Sequence, residues 1–271
     1  MKKWVVRHKN IGETPLEVVE KFRREEGLAP DTPLAYAGRL DPMADGKLLI
    51  VIGDECKVQE KYHGLDKAYR FQILFRFRSD TGDVLGLAEA DTPVVEHKNF
   101  HIWKKVLRQF VGVIEFPYPK FSSRPVQGKP LHVWTLEGRL GEIKIPTKTS
   151  SVYTLHLEKI ETKTGLELHQ EILEKINSIP PVTDPRKALG ADFRREPIRA
   201  RWNKLLGSRP TDTFHVATLY CEASSGTYMR TLAEEIAKRV GTYGLAYSIT
   251  RTKIGKRVST PLGSFWYQTF K

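Results

Sequence analysis

Asp41, in the string Gly38-Arg39-Leu40-Asp41-Pro42, is the first side chain here with a claim to chemistry. An ionised carboxylate serves as a nucleophile or a general base, although Asp-Pro is also an ordinary turn initiator. Two further strings put charged groups at turns. Asp80-Thr81-Gly82-Asp83 reads as a turn between strands, and Ser225-Gly226-Thr227-Tyr228-Met229-Arg230 as a loop running into a helix. Each string taken singly is compatible with plain structural duty. Other chemistries find less support. There is no Gly-x4-Gly-Lys-Ser/Thr and no Gly-x-Gly-x-x-Gly after a strand, so no phosphate cradle for nucleotide-driven chemistry. Ser224 and Ser225 lack the Gly-x-Ser-x-Gly elbow, and nothing sets a histidine beside them. Cys56 and Cys221 are the only cysteines and form no Cys-x-x-Cys pair; His97 and His101, at i, i+4 spacing, have no evident third ligand. No metal is expected.

The elements that must carry these side chains are legible from periodicity. Thr14-Pro15-Leu16-Glu17 is a capping box with proline at the first helical position, and Val18, Val19 and Phe22 share one face of a helix that stops by Gly27. Asp41 then falls on a loop, closed by Asp45-Gly46, ahead of a buried strand Leu48 to Ile52. Tyr69, Phe71, Ile73, Phe75 and Phe77 alternate with Arg70, Gln72, Leu74, Arg76 and Arg78, which predicts one half-buried strand with Tyr69 on its apolar side. A helix is predicted over Ile102 to Phe110, strands over Val152 to Ile160 and Phe214 to Cys221, and a helix from about Thr227 to Val240 with Gly241 as its stop. The class is α+β. Between Thr164 and Pro210 an amphipathic stretch, Leu166 to Ile179, leads into Pro180-Pro181 and a segment with Arg186, Lys187, Arg194, Arg195, Arg199, Arg201, Lys204 and Arg209. This basic insertion, about 165–210, reads equally as a solvated surface excursion or as an arm that grips phosphates.

Composition sets the partner class. The chain has 271 residues, 40% of them hydrophobic, enough for one large domain or two small ones. Forty-four Lys and Arg against 32 Asp and Glu leave a formal charge of +12, which favours a polyanion, with nucleic acid first and membrane phosphates second. The longest apolar run, Leu48 to Ile52, is too short to cross a bilayer, and the amino terminus has no signal-peptide stretch, so a cytoplasmic setting with no membrane partner is expected.

In order along the chain, these strings resemble the TruB family of tRNA pseudouridine synthases. The resemblance begins at His8-Lys9-Asn10-Ile11-Gly12, a degraded form of the family's opening element. It continues through Gly38 to Gly46, Lys67-Ala68-Tyr69-Arg70, Ser79 to Gly86, Phe121-Ser122-Ser123 and Gly128-Lys129-Pro130-Leu131, then Ser225 to Glu235 and Thr250 to Gly255. The series covers roughly four fifths of the chain, and chance agreement in that order is a poor explanation. Gly-Arg-Leu-Asp alone also resembles synthases that act on ribosomal RNA; the Ser79 to Asp83 and Ser225 to Arg230 strings point to the tRNA family.

The resemblance implies conversion of uridine to pseudouridine at position 55 of the tRNA T loop, without a cofactor, by a monomer with a central mixed, mostly antiparallel sheet. It implies Asp41, Tyr69 and Arg230 as catalytic residues, and Tyr36, Gly38, Arg39, Ile249, Lys67 and Lys129 as substrate contacts. Arg230 would keep the carboxylate ionised, Tyr69 would stack on a flipped base and help remove its C5 proton, and Ile249 would pack beside it. Three departures stand out. Tyr36 replaces the usual histidine five residues before the nucleophile, Pro125 stands where a lysine is usual, and the chain leaves no room for the RNA-binding PUA module of many relatives. The expectation is a single catalytic domain over 1–271.

Overall fold

The computed structural model describes residues 2–90, 100–181, 194–260 and 263–271. Along the chain run β1 (Trp4–Lys9), α1 (Pro15–Glu25), β2 (Leu34–Ala37), β3 (Ala44–Ile52), β4 (Asp66–Phe75), β5 (Phe77–Ser79), β6 (Ala88–Ala90) and α2 (Phe100–Arg108). Next come β7 (Gly112–Pro117), β8 (Pro125–Val126), β9 (Lys129–Pro130), α3 (Leu131–Leu136), β10 (Thr147–Thr164), α4 (Gly165–Ser178) and α5 (Arg195–Leu206). The last are β11 (Thr213–Ala223), α6 (Met229–Val240), β12 (Gly244–Thr260) and β13 (Gly263–Thr269).

Nine strands form one sheet in the order β1-β3-β12-β4-β11-β10-β7, with β2 added to β3 and β13 to β12. All its pairings are antiparallel except β3 with β12, where Ile249 lies opposite Ala44 and Arg251 opposite Gly46. The sheet is therefore mixed and mostly antiparallel, as expected of the α+β class. Gly46 is required at that junction: its φ is +107°, and a Cβ there would come within 2.4 Å of the Arg251 carbonyl oxygen.

The apolar run in β3 is continuous because both of its faces are covered. Leu48, Ile50 and Ile52 pack on Val18, Val19 and Phe22 of α1, while Leu49 and Val51 meet Tyr62, Leu65, Ile254 and Phe270. The α1 capping box forms as read, with the Thr14 amide donating to Glu17 and the Glu17 amide donating to Thr14 Oγ1. Around β4 the main core takes Phe71, Ile73 and Phe75 from the sheet, Trp103, Val106 and Leu107 from α2, and Leu232, Ala233 and Ile236 from α6. On the sheet's other face Arg70 pairs with Glu158, and Gln72 Nε2 donates to Thr218 and Glu161.

One expectation needs correction, and one of the two readings of the insertion falls. The alternating segment is not one strand through Arg78: Arg76 adopts φ +72°, which ends β4 and turns the chain into β5. Its amide donates to the Tyr243 carbonyl and its guanidinium lies over the Phe214 ring, contacts that hold this uncommon conformation. The insertion is also not a solvated excursion in its described part. A second capping box, Thr164 with Glu167, starts α4, and Leu168, Ile172 and Ile176 of α4 join Ile198, Trp202 and Leu206 of α5 in the main core. Arg186 and Lys187 lie outside the described residues, as does His97. Among the described residues no helix is long and apolar enough to cross a membrane, and no three His, Cys, Asp or Glu side chains are grouped to hold a metal.

Candidate active site

Asp41 sits on the loop joining β2 to β3, and that loop is held from beneath by buried cations. Arg251, fully buried on β12, donates from Nε to the Lys47 carbonyl and from its terminal nitrogens to the Gly38 and Arg39 carbonyls. Burial lowers the pKa of Arg251, and the neighbouring Tyr69 phenol works against that. Lys9, also fully buried, donates to the Ala44 and Asn10 carbonyls; burial pulls its ammonium down to about 8 despite the attraction of Glu13, Asp41 and Asp45. The Gly12 amide donates to the Pro42 carbonyl and the Ala44 amide to that of Asp41. A loop pinned at this many carbonyls has little freedom, so the carboxylate it carries is held in place.

Arg230 supplies the other side. It stands in the first turn of α6 with a side chain 5% exposed, and its Nε donates to Asp41 Oδ2 at 2.8 Å. One terminal nitrogen donates to the Thr81 carbonyl at 2.7 Å and the other to the Phe121 carbonyl at 3.2 Å. Asp83 Oδ2 approaches the same Nε at 3.7 Å, and Asp83 Oδ1 accepts from Thr81 Oγ1 and the Leu85 amide. Burial disfavours charge on Arg230, but Asp41, Asp83 and Glu234 outweigh it and raise its pKa. Burial pushes the Asp83 carboxyl up, with Arg230 opposing, and pushes Glu234, one helical turn from Arg230, up to about 7.

The two carboxylates on this guanidinium differ in access. Asp83 is 6% exposed and Asp41 is 41% exposed. Among the described residues Asp41 Oδ1 accepts no hydrogen bond, so one face of a fixed, ion-paired carboxylate is open for reaction.

Tyr69 lies on β4 directly opposite Arg251 of β12 and packs partly buried against the main core. Burial raises its phenol pKa, Arg251 counters, and Asp41 is close enough to add to the rise. Ile249, two residues before Arg251 on the same strand, is buried in the same core. Tyr36, Gly38 and Arg39 together line a recess of about 520 Å³ beside the Asp41 loop, which neither Asp41 nor Arg230 lines. Arg39 reaches Ser123 Oγ at 2.5 Å, tying its loop to the segment that carries Phe121.

The two lysines read as substrate contacts are engaged internally. Lys67 is buried and donates to the Leu65 carbonyl and Ser225 Oγ, with burial lowering it to about 8. Lys129 pairs with Glu137 and lies over the Trp134 ring. Sequence reasoning missed Arg251, Lys9 and Asp83 as parts of the site. The signal for all three was their place in quoted strings, His8 to Gly12, Ser79 to Gly86 and Thr250 to Gly255; what those strings did not show is that Lys9 and Arg251 are buried beneath the Asp41 loop. Tyr228 and Tyr118, ring centroids 5.7 Å apart, with Arg124 over Tyr118, add an aromatic and basic rim near Asp41.

Residues 32–174 match the family model described as TruB family pseudouridylate synthase (N terminal domain). The chain is 26% identical over 224 residues to a tRNA pseudouridine synthase B of Bordetella avium, covering 81% of this chain and 68% of that protein. It is 33% identical over 157 residues to the protein of that name in Caldanaerobacter subterraneus, covering 58% and 53% respectively. With tRNA pseudouridine synthase 4 of Saccharomyces cerevisiae it shares 26% over 229 residues, 76% of this chain and 56% of that one. The chain thus spans about half to two thirds of the length of these relatives. Among solved structures, a chain in the crystal structure of a Cbf5-Nop10-Gar1 complex aligns with TM-score 0.53 at 15% identity, over 93% of this chain and 48% of that one, a likeness of fold.

Proposed function

Because the chain belongs to the TruB family of pseudouridylate synthases, we propose that it isomerises a uridine of transfer RNA, position 55 of the T loop, to pseudouridine, with Asp41 as the reacting carboxylate. The observation that carries this reading is the Asp41 to Arg230 bond of 2.8 Å on a pinned, solvent-accessible loop. The reaction breaks the bond from ribose C1′ to N1, turns the base, joins C1′ to C5, and moves a proton from C5 to solvent while N1 gains one. Atoms and electrons balance within the substrate. An ionised carboxylate suffices, whether it adds to the ring or assists cleavage at the sugar.

The remaining roles belong to the same proposal. Arg230 holds the Asp41 carboxylate by its 2.8 Å contact and orients it toward the base that closes over it. Tyr69 stacks on the extruded uracil and takes part in removing the C5 proton, and Ile249 supplies an apolar wall. Tyr36, Gly38 and Arg39, which share one recess, receive the backbone beside the target nucleotide. The net charge of +12 draws in the T arm and contributes to the few kcal/mol that unstacking demands.

The test is Asp41→Ala with one unmodified tRNA transcript and site-resolved mapping. Product at position 55 should disappear while tRNA binding persists. Pseudouridine formed at the wild-type rate by that variant would remove Asp41 from the mechanism, and wild-type product at another site or only in ribosomal RNA would change the substrate.

A further inference from the structure

We propose that Arg194, in the insertion, is a positioning residue for Arg230. The inference rests on the reading of Asp41 and Arg230 given above and extends it to a part of the chain that lies outside the matched family model. Arg194 precedes α5 with φ +56°, a left-handed conformation uncommon for a residue with a Cβ. From there its guanidinium does two things at once. It bonds Asp80 Oδ2 at 2.5 Å and lies over the Phe121 ring at 4.6 Å from the centroid.

Those two partners belong to the two segments whose carbonyls hold Arg230. The Thr81 carbonyl, next to Asp80, accepts at 2.7 Å, and the Phe121 carbonyl accepts at 3.2 Å. Asp80 Oδ1 meanwhile accepts the Leu87 amide, so the carboxylate that receives Arg194 also closes its own loop. The closure is tight: a Cβ on Gly86 would lie 2.3 Å from Thr81 Oγ1 and 2.7 Å from Asp80 Oδ1. The same insertion grips this loop a second time, Trp202 Nε1 donating to the Val84 carbonyl at 2.9 Å. Arg194 thus clamps together the acceptors that aim Arg230 at Asp41. Its planar, delocalised cation suits a contact with a carboxylate at the edge and a ring on the face.

The experiment uses the full chain and an unmodified tRNA transcript. Arg194→Ala should lower kcat on the order of tenfold or more, the scale of a catalytic group displaced by a fraction of an ångström, with KM within about twofold. Arg194→Lys, which keeps the charge near Asp80 and loses the planar stack, should fall between. Asp80→Asn, which preserves the acceptor for Leu87, should reproduce the Ala phenotype and serves if Arg194→Ala does not fold. In the double variant with Arg230→Lys, the Arg194 substitution should add no further loss, because it acts only through Arg230. Wild-type kcat in Arg194→Ala and Asp80→Asn, or multiplicative losses in the double variant, would overturn the proposal. A second readout needs no RNA. In protein labelled with 15N-arginine, the Arg230 Nε proton, assigned by its loss in Arg230→Lys, should exchange faster in Arg194→Ala than in wild type. Unchanged exchange would overturn the clamp even if the wild-type protein made no pseudouridine, and wild-type inactivity with faster exchange would overturn only the functional reading.

Discussion

Two carboxylates share one buried guanidinium at this site, and their accessibilities separate what each does. Asp83, closed off from solvent, compensates the charge of Arg230; Asp41, open on one side, is the group available to a substrate. Removing Arg230 would leave Asp83 buried without its counterion, a defect worth about 3–5 kcal/mol where a buried pair is broken from one side. Arg230→Leu is therefore expected to lose both stability, seen in urea unfolding, and pseudouridine formation, by more than a hundredfold. Adding Asp83→Asn should restore much of the stability and none of the activity. Recovery of activity in the double variant would mean that Arg230 serves the fold alone. Arg230 and Arg251 both stand in strings that matched the family, but only Arg230 was read as part of the site. The role of Arg251 beneath the Asp41 loop was not legible, since the groups it holds there are backbone carbonyls, which carry no residue identity.

At the scale of elements, the insertion and the break after β4 decide where the loops go. Alternation along β4 is plain in the sequence because a strand has period two, but the turn at Arg76 is not, because a left-handed arginine has no compositional sign. The insertion reads as basic and amphipathic, and that texture left open a solvated excursion or an arm that grips phosphates; its part in the core was not read from it. Trp202 lies in the main core with its ring tilted against Phe77 at 5.3 Å. Trp202→Ala should accordingly cost about 3–5 kcal/mol in chemical denaturation, the range for deleting a buried aromatic. A loss within about 0.5 kcal/mol, typical of a surface change, would contradict the placement of α5.

For the whole molecule, a net charge of +12 coexists with a site whose inner groups are acid, base and acid around Arg230. Glu234 makes that arrangement sensitive to pH. Burial raises it from an ordinary 4.5 to about 7, opposed by Arg230 and reinforced by Asp83 and Glu235. The native state therefore binds a proton that the unfolded chain has already released between about pH 4.5 and 7. The stability associated with that proton is present below pH 4.5 and is lost as pH rises to about 7. Glu234→Gln should gain in Tm relative to wild type as pH is raised from 5 to 8. Parallel Tm profiles for the two proteins would show that Glu234 does not titrate there.

The sequence by itself determined what depends on near neighbours: helix α1 through its capping box, the alternation of β4, the stop at Gly241, the basic balance, and an ordered set of strings sufficient to indicate the family. Tertiary structure alone decided how the site is assembled. Arg230 meets partners 189, 149 and 109 residues away, two of them carbonyls, so no side-chain pattern could announce them. It also turned Lys67 inward and buried Arg251, because which charged side chains are covered depends on which surfaces pack together, and local spacing carries no record of that.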